Sequence, residues 1–507
     1  VQINRGTSLA PAVAWPGASG TIRKNNRRAN TKWDVLDWNG DGFIDRVDAS
    51  EDPWVIQLGL PSTGPGIRPY LMTRSRNGIG GVSETRYAPS TAYLNTRLPF
   101  TSWVVTGTRR TDGLCSLAVS DPFTLTGNPC LAQGHELVST LEYEKGYFDG
   151  SEREFRGFGK VTERFPGEPQ RYRVVEFNQA THTRGQIESE EVWATTGSRA
   201  SREDYTWATH VPDGGVDRTQ VYLSEHVSQI FDLDTPSTAT QCTTKRNELP
   251  DEWGRVTRSC ATDCSESAPG VCTGTGLSAG TVITETSWAD LGASGIRERP
   301  EIVTTKYVLP GAGGTSTLTV KHYAYDALGN VTSVRTEGLG SADATVTNQY
   351  DEPGSGKPAR GNITKVVEPE QFGTGVGTTS SFTAATSYLF PTTETSALQL
   401  TATKVWDLRY GKEIQVTGPN GEVSVATYDA AGRTLCEAKP GSSCSSGIPT
   451  VQYTYVCAGS SACGASSPAG GFEGKLSYVE VRTRETGDGN PNGYLRTRSF
   501  VDALGRE

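Results

Sequence analysis

The chain has 507 residues, with 48 Lys and Arg against 57 Asp and Glu, for a net charge of −9. Its one basic run, Arg23 to Arg28, reads as a solvated loop. Duplex nucleic acid, which demands a concentrated positive surface, is therefore excluded as a main partner, and with no run of about 18 apolar residues a helical membrane span is excluded too.

Glycine is frequent, at 58 residues. Together with abundant Thr, Ser and Val it predicts an all-β chain of strands joined by tight turns. The chain opens at Val1 and its single methionine is Met72, so it reads as a piece of a longer protein with any export signal upstream.

Residues 1–60 carry Trp15, Trp33, Trp38 and Trp54 around an acidic loop and read as the end of a domain, a propeller blade or a small sandwich. In Asp37-Trp38-Asn39-Gly40-Asp41-Gly42-Phe43-Ile44-Asp45, oxygen donors stand at alternate positions around a glycine turn. A backbone carbonyl at Phe43 and a later carboxylate complete the donor set of a hard cation. Structural Ca²⁺ held by Asp37, Asn39, Asp41, Phe43 and Asp45 is the expectation. Pro53 and the aromatic surroundings argue against the flanking helices of an EF-hand, and an Asx-rich turn without an ion is the plain alternative.

Residues 61–240 read as one β-sheet region. Short strands with irregular connections are predicted to about Ser139, and a denser β region from Leu141 to about Ile230. Asp149-Gly150 signals a hairpin turn. The aromatic residues Phe155 and Phe158 and the glycines Gly157 and Gly159 predict a tightly packed, bulged strand. Residues 241–319 read as a degenerate repeat interrupted by a Cys/Ser/Gly-rich excursion from Cys260 to Gly280.

Residues 320–507 carry a repeated phrase. Tyr325-Asp326-Ala327-Leu328-Gly329-Asn330 recurs as Tyr428-Asp429-Ala430-Ala431-Gly432-Arg433 and as Asp502-Ala503-Leu504-Gly505-Arg506. Weaker copies start at Asp251, Tyr350 and Trp406, and Gly411 and Gly432 stand 21 residues apart, a spacing typical of repeats. In each phrase the tyrosine ends a strand, the aspartate accepts from backbone N–H groups just beyond it, and the glycine takes the positive φ of the turn. One hairpin cannot cover its own edges, so the units must lie side by side in a continuous sheet.

The ten cysteines fall into near neighbours: Cys115 with Cys130, Cys242 with Cys260, Cys264 with Cys272, Cys436 with Cys444, and Cys457 with Cys463. Small disulfide loops formed in an oxidising compartment are expected, and the spacing lacks the paired knuckles of a zinc site. His135, His182, His210, His226 and His322 are too scattered for a metal or a catalytic pair. Neither a Gly-x-Ser-x-Gly elbow nor a phosphate loop occurs. Glu142 with Glu144 and Glu188 with Glu190 could be drawn as glycosidase pairs, although acidic residues this numerous produce such pairs by chance.

The Tyr-Asp-x-x-Gly phrase resembles the YD repeat of the RHS family, which includes bacterial polymorphic toxins and the animal teneurins. Gly146-Tyr147-Phe148-Asp149-Gly150 followed by Glu154-Phe155-Arg156-Gly157-Phe158-Gly159, with the upstream Leu98-Pro99-Phe100 stretch, resembles the middle region of the B component of insecticidal toxin complexes. The resemblance implies a secreted, non-catalytic wall segment of a hollow β-shell that encloses a toxic C-terminal polypeptide. It also implies, as partners, the rest of that shell, the toxin it encloses and a pore-forming translocation component. The calcium-type loop resembles structural loops in the family's propeller blades. The family's self-cleaving aspartates lie beyond the region matched, so neither protease nor cargo is assigned here. A surface adhesin binding glycans or proteins is the alternative, and a carbohydrate-active enzyme the weaker one.

Overall fold

The computed structural model describes residues 24–25, 31–38, 44–50, 55–59, 71–77, 81–115, 121–166, 171–195, 197–211, 219–232, 239–264, 279–292, 295–309, 314–338, 340, 342–351, 360–456, 477–485, 493–502 and 504–506. The chain divides into two compact units, Val1–Arg202 and Glu203–Glu507. Among the described residues no helix is long and apolar enough to cross a membrane.

The first unit holds two sheets. A small antiparallel sheet runs through Lys24–Asn25, Thr31–Leu36, Asp45–Asp48 and Val55–Gln57. The larger one is a meander in which Arg74–Arg76, Val82–Pro89, Trp103–Thr111, Glu136–Asp149, Glu154–Arg164, Tyr172–Phe177 and Ile187–Thr195 each pair antiparallel with the next. A short α-helical turn, Pro129–Ala132, and a 3-10 turn, Ser90–Ala92, interrupt it. Asn128 caps the α-helical turn by accepting from the backbone N–H of Cys130 at 3.0 Å, and Cys130 is bonded to Cys115.

The second unit continues the same grammar. From Gln220–Phe231 through Ala239–Pro250, Val256–Asp263, Val282–Trp288, Pro300–Val308 and Thr315–Tyr325, each strand pairs antiparallel with its successor. The pattern persists through the corner-bearing strands Thr401–Asp407, Lys412–Thr417, Val423–Tyr428 and Thr434–Ala438 to the final hairpin Ser477–Arg484 and Tyr494–Val501. Because strand direction alternates, every second connection lies at the same end of the sheet, and this collects the tyrosine–aspartate corners along one rim.

Burial shows what holds the sheet together. Most strand residues are half-buried on both faces, as in Pro391–Thr395 and Val331–Thr336, and among the described residues the buried apolar cluster is Cys260, Ile283 and Val308 on three neighbouring strands. Cohesion therefore comes from cross-strand pairs, each contributing roughly 0.2–1 kcal/mol, instead of from a sealed interior. Buried threonines extend the pattern: Thr281 donates to Thr262 at 2.9 Å across adjacent strands.

Two local expectations change. The turn after Asp149 spans four residues, with Asp149 paired to Glu154. Its left-handed residue is Arg153 at φ 54°, and the Asp149 carboxylate steadies it by accepting from the N–H groups of Ser151 and Glu152 at 2.9 and 3.2 Å. Cys260 lies inside strand Val256–Asp263 rather than in a loop, while residues 265–278 of the expected excursion lie outside the described residues.

Candidate functional site

The corner at Asp429 shows the repeated geometry. Its N–H donates to the Arg433 carbonyl at 2.9 Å, and the Gly432 N–H returns to the Asp429 carbonyl at 3.0 Å. Oδ1 accepts from the N–H groups of Ala431 and Arg433, both at 2.9 Å, and Oδ2 accepts from Arg433 Nε at 2.6 Å. Gly432 takes φ 77°, a region costly for a residue with a Cβ. Asp251 with Arg255 and Asp502 with Arg506 reproduce the guanidinium bond at 2.6 Å each, with Gly254 at φ 77° and Gly505 at φ 84°. At Asp326 the amide of Asn330 substitutes, donating at 2.9 Å beside Gly329 at φ 80°.

Two weaker copies are variations. Asp351 closes its corner with Gly361 and Asn362, whose N–H donates to Oδ1 at 2.9 Å, so the chain between them is an insertion; the Gly354 of the sequence phrase lies outside the described residues. Asp407 instead binds Arg409, two residues on, at 2.7 Å, with Gly411 at φ 63°.

Burial pushes the carboxyls of Asp251, Asp326, Asp429 and Asp502 up. The backbone N–H groups and the basic or amide side chain outweigh it and hold all four below the ordinary carboxylate range. Neighbouring hairpins are also tied together. Tyr428 donates its hydroxyl to the Glu413 carbonyl at 2.8 Å and Tyr325 to that of Pro300 at 2.6 Å. Lys412 reaches the Gly432 carbonyl at 2.7 Å and Arg299 the Gly329 carbonyl at 3.0 Å.

In the first unit, the Gly146 to Gly159 segment forms a bulged hairpin under a strap made by residues 90–102. Asn95 Oδ1 accepts from the Gly146 N–H at 2.7 Å, and the Phe148 N–H donates to the Arg97 carbonyl at 2.9 Å. A Cβ on Gly146 would lie 2.9 Å from Asn95 Oδ1 and 3.1 Å from the Phe158 ring, so it would push Asn95 off the bond that ties down the strap. Phe100 packs edge-on against Phe148 and Phe155 at 5.6 and 5.4 Å, and Tyr143 meets Phe158 at 5.0 Å. Burial there pushes the Tyr143 hydroxyl up to about 12. Beneath the turn, the fully buried side chain of Arg156 is ion-paired with Asp149, Glu152 and Glu154. The bulge falls at Arg156 and Gly157, where φ is 81°.

Residues 6–182 match the family model of the insecticide toxin TcdB middle/N-terminal region. The strapped hairpin lies inside that match, and the toxin-complex B resemblance holds. No curated protein matches the chain. Among solved structures, the crystal structure of TcdB2-TccC3 is similar at 14% identity and a TM-score of 0.65, covering 94% of this chain and 31% of its own. TcdB2-TccC3 without its hypervariable C-terminal region gives 14% and 0.62. The Photorhabdus luminescens Tc holotoxin pore with a mutated TccC3 gives 13% and 0.63. The chain thus shares their all-β sheet fold and spans about a third of their length, 31 to 32%.

The other sequence candidates land as follows. Of the calcium-type loop, Asn39, Asp41 and Phe43 lie outside the described residues. Asp45 is fully buried, its two oxygens accepting from the N–H groups of Trp38 at 2.8 Å and Gly59 at 2.7 Å, and Asp37 immediately precedes Trp38. No metal-ligating cluster occurs among the described residues.

Cys115–Cys130 and Cys436–Cys444 pair as expected. Cys242 pairs with Cys264, not Cys260, so the expected Cys242–Cys260 and Cys264–Cys272 bonds are corrected. The register explains it: Cys260 stands opposite Arg246 on the adjacent strand, whereas the Cys264 N–H donates to the Cys242 carbonyl at 3.1 Å. Cys260 is disulfide-bonded as well; Cys272, Cys457 and Cys463 lie outside the described residues.

Three of the four supposed glycosidase carboxylates are engaged across strands: Glu142 by Arg164 at 3.2 Å, Glu144 by Lys160 at 2.7 Å and Glu190 by Arg173 at 2.7 Å. Histidines do the same work, His135 on Asp112 and His322 on Glu337, both at 2.8 Å. Sequence reasoning missed the side-chain bond from the residue after the corner glycine back to the aspartate at Asp251, Asp326, Asp429 and Asp502. The signal was present, an Arg or Asn four residues after the Asp.

Proposed function

We propose that this chain is a non-catalytic wall segment of a secreted toxin-complex shell that encloses and helps deliver a toxic C-terminal polypeptide, working with the rest of an RHS-type shell and a pore-forming translocation component. The observation that carries this reading is the run of aspartate–glycine corners on an unbroken antiparallel meander. Such a sheet gains by extension, each strand serving as the template for the next, and it spends its carboxylates on holding corners and strand pairs. The disulfides fit folding in an oxidising compartment. The test is a full-length parent protein carrying a protease-cleavable reporter downstream of the repeats. Protection of the reporter until the shell is denatured is expected, and cleavage at the rate of the free reporter overturns the reading.

We propose further that the Asp37 to Asp45 loop holds a structural Ca²⁺. Asp45 supports this: its burial fixes the carboxylate at the end of the loop, where the donor spacing of a hard cation calls for one. Calcium should raise the melting temperature of the chain, and chelation should lower it; Asp41→Asn should remove the response. An identical melting curve in calcium and in chelator sinks the proposal.

A further inference from the structure

The final hairpin carries a charge arrangement that the corners do not explain. In strands Ser477–Arg484 and Tyr494–Val501, Glu480 stands opposite Arg498, Arg482 opposite Arg496 and Arg484 opposite Tyr494. Side-chain alternation puts all of these on one face, four arginines with a single carboxylate. Like charges directly opposite one another weaken a sheet, and Arg482 faces Arg496.

Glu480 relieves part of the repulsion. It is 3% exposed, its Oε1 accepts from Arg482 Nε at 2.7 Å and lies 3.5 Å from Arg496 Nε, and its Oε2 accepts from Arg498 Nε at 2.7 Å. The bond from Arg498, joined by that from Arg482, holds its carboxyl below the ordinary range against the opposing pull of burial. One negative charge cannot balance four positive ones. The three guanidinium groups engage Glu480 through Nε, and their terminal nitrogens have no hydrogen-bond partner among the described residues. The side chains of Arg482, Arg496 and Arg498 are 40%, 53% and 43% exposed.

We infer that this face docks an extended acidic polypeptide segment. Glu480 already shows the ligand chemistry, a carboxylate held by several guanidinium groups, and the outward nitrogens offer the same donors to carboxylates arriving from outside. Tyr478 and Phe500, with rings 5.3 Å apart, border the arginines, the Arg498 guanidinium lying 5.1 Å over the Tyr478 ring, and the exposed Phe500 ring is left to take an adjoining apolar side chain. The patch is two strands wide, about 10 Å, which suits a segment bearing two or three carboxylates. A long polyanion would run beyond it onto a chain of net charge −9 and be repelled. This surface stands whether or not the wall encloses a cargo.

The test is fluorescence anisotropy of fluorescein-labelled hexaglutamate with the whole chain at low ionic strength. Saturable binding is expected, weakened about tenfold by Arg496→Ser, the loss of one charge-assisted bond. Binding should vanish in Arg496→Glu and weaken at high salt. Arg496 is the most exposed of the three around Glu480 and its contact there is the longest, so its replacement leaves the hairpin folded, as an unchanged circular dichroism spectrum would verify. Absence of saturable binding, equal binding by Arg496→Ser, or tighter binding of a hexathymidylate probe than of hexaglutamate overturns the inference.

Discussion

At the corner, a single aspartate side chain satisfies two backbone donors and a guanidinium at once, so removing it costs more than one contact. In Asp429→Ala the N–H groups of Ala431 and Arg433 lose their acceptor. A loss of about 1–3 kcal/mol follows for a part-buried, charge-assisted set, measurable as a lower denaturant midpoint. The glycine is a separate requirement. Gly432→Ala meets the Tyr410 ring at 2.9 Å as well as the φ penalty, whereas Gly421→Ala at φ 82° has nothing within 4 Å; the first should therefore destabilise more than the second, and equal midpoints would show that strain alone matters. The pH dependence has a definite sign. The folded carboxyl of Asp429 lies below its unfolded value of roughly 3.9, so its stabilisation is fully present above that value and is lost as pH falls through the folded one. Asp429→Asn, with no ion pair to lose, should show a flatter decline, and its deficit in melting temperature against the parent should shrink with acidification below about pH 4.

The strapped hairpin makes the same argument for an element. Residues 90–102 have little regular structure of their own, and their position depends on the Asn95 to Gly146 bond and on Phe100 meeting Phe148 and Phe155. Gly146→Ala drives a Cβ into Asn95 and should release the strap without dissolving the sheet beneath it. Faster amide exchange at Phe148, whose N–H is bonded to the Arg97 carbonyl, with unchanged exchange in Trp103–Thr111 is the expected readout; protection retained at Phe148 would show that the aromatic contacts suffice. This element was half legible in the sequence. Glycines beside aromatics in 146 to 159 announced a bulge, but a loop partner fifty residues away leaves no periodic signal, and so Asn95 went unnoticed. The disulfide register was illegible for a related reason. Spacing favoured Cys260 as the nearer partner of Cys242, and only the pairing of Ala239–Pro250 with Val256–Asp263 places Cys264 beside it.

Across the whole of the second unit, the alternation of strand direction gives the two rims of the sheet different closures. The aspartate–glycine corners occupy one, while the Cys242–Cys264 and Cys436–Cys444 bonds lie at the other. The corner rim was legible because its chemistry is local, an Asp and a Gly three residues apart. Gly361 was missed because an insertion separates it from Asp351 although the register still brings them together. Each strand in this meander depends on its two neighbours and hardly at all on distant ones, so stability should be distributed as in a one-dimensional array and not as a single cooperative core. A lesion then has a range. Asp429→Ala should speed amide exchange in Val423–Tyr428 and Thr434–Ala438, and less so in the flanking Lys412–Thr417 and Val451–Val456. Val256–Asp263, Val282–Trp288 and Pro300–Val308, around the buried Ile283 and Val308, should keep the parent's rates. Exchange that accelerates equally in both regions would mean that the sheet unfolds as one body, and the neighbour-by-neighbour account of its stability would fail.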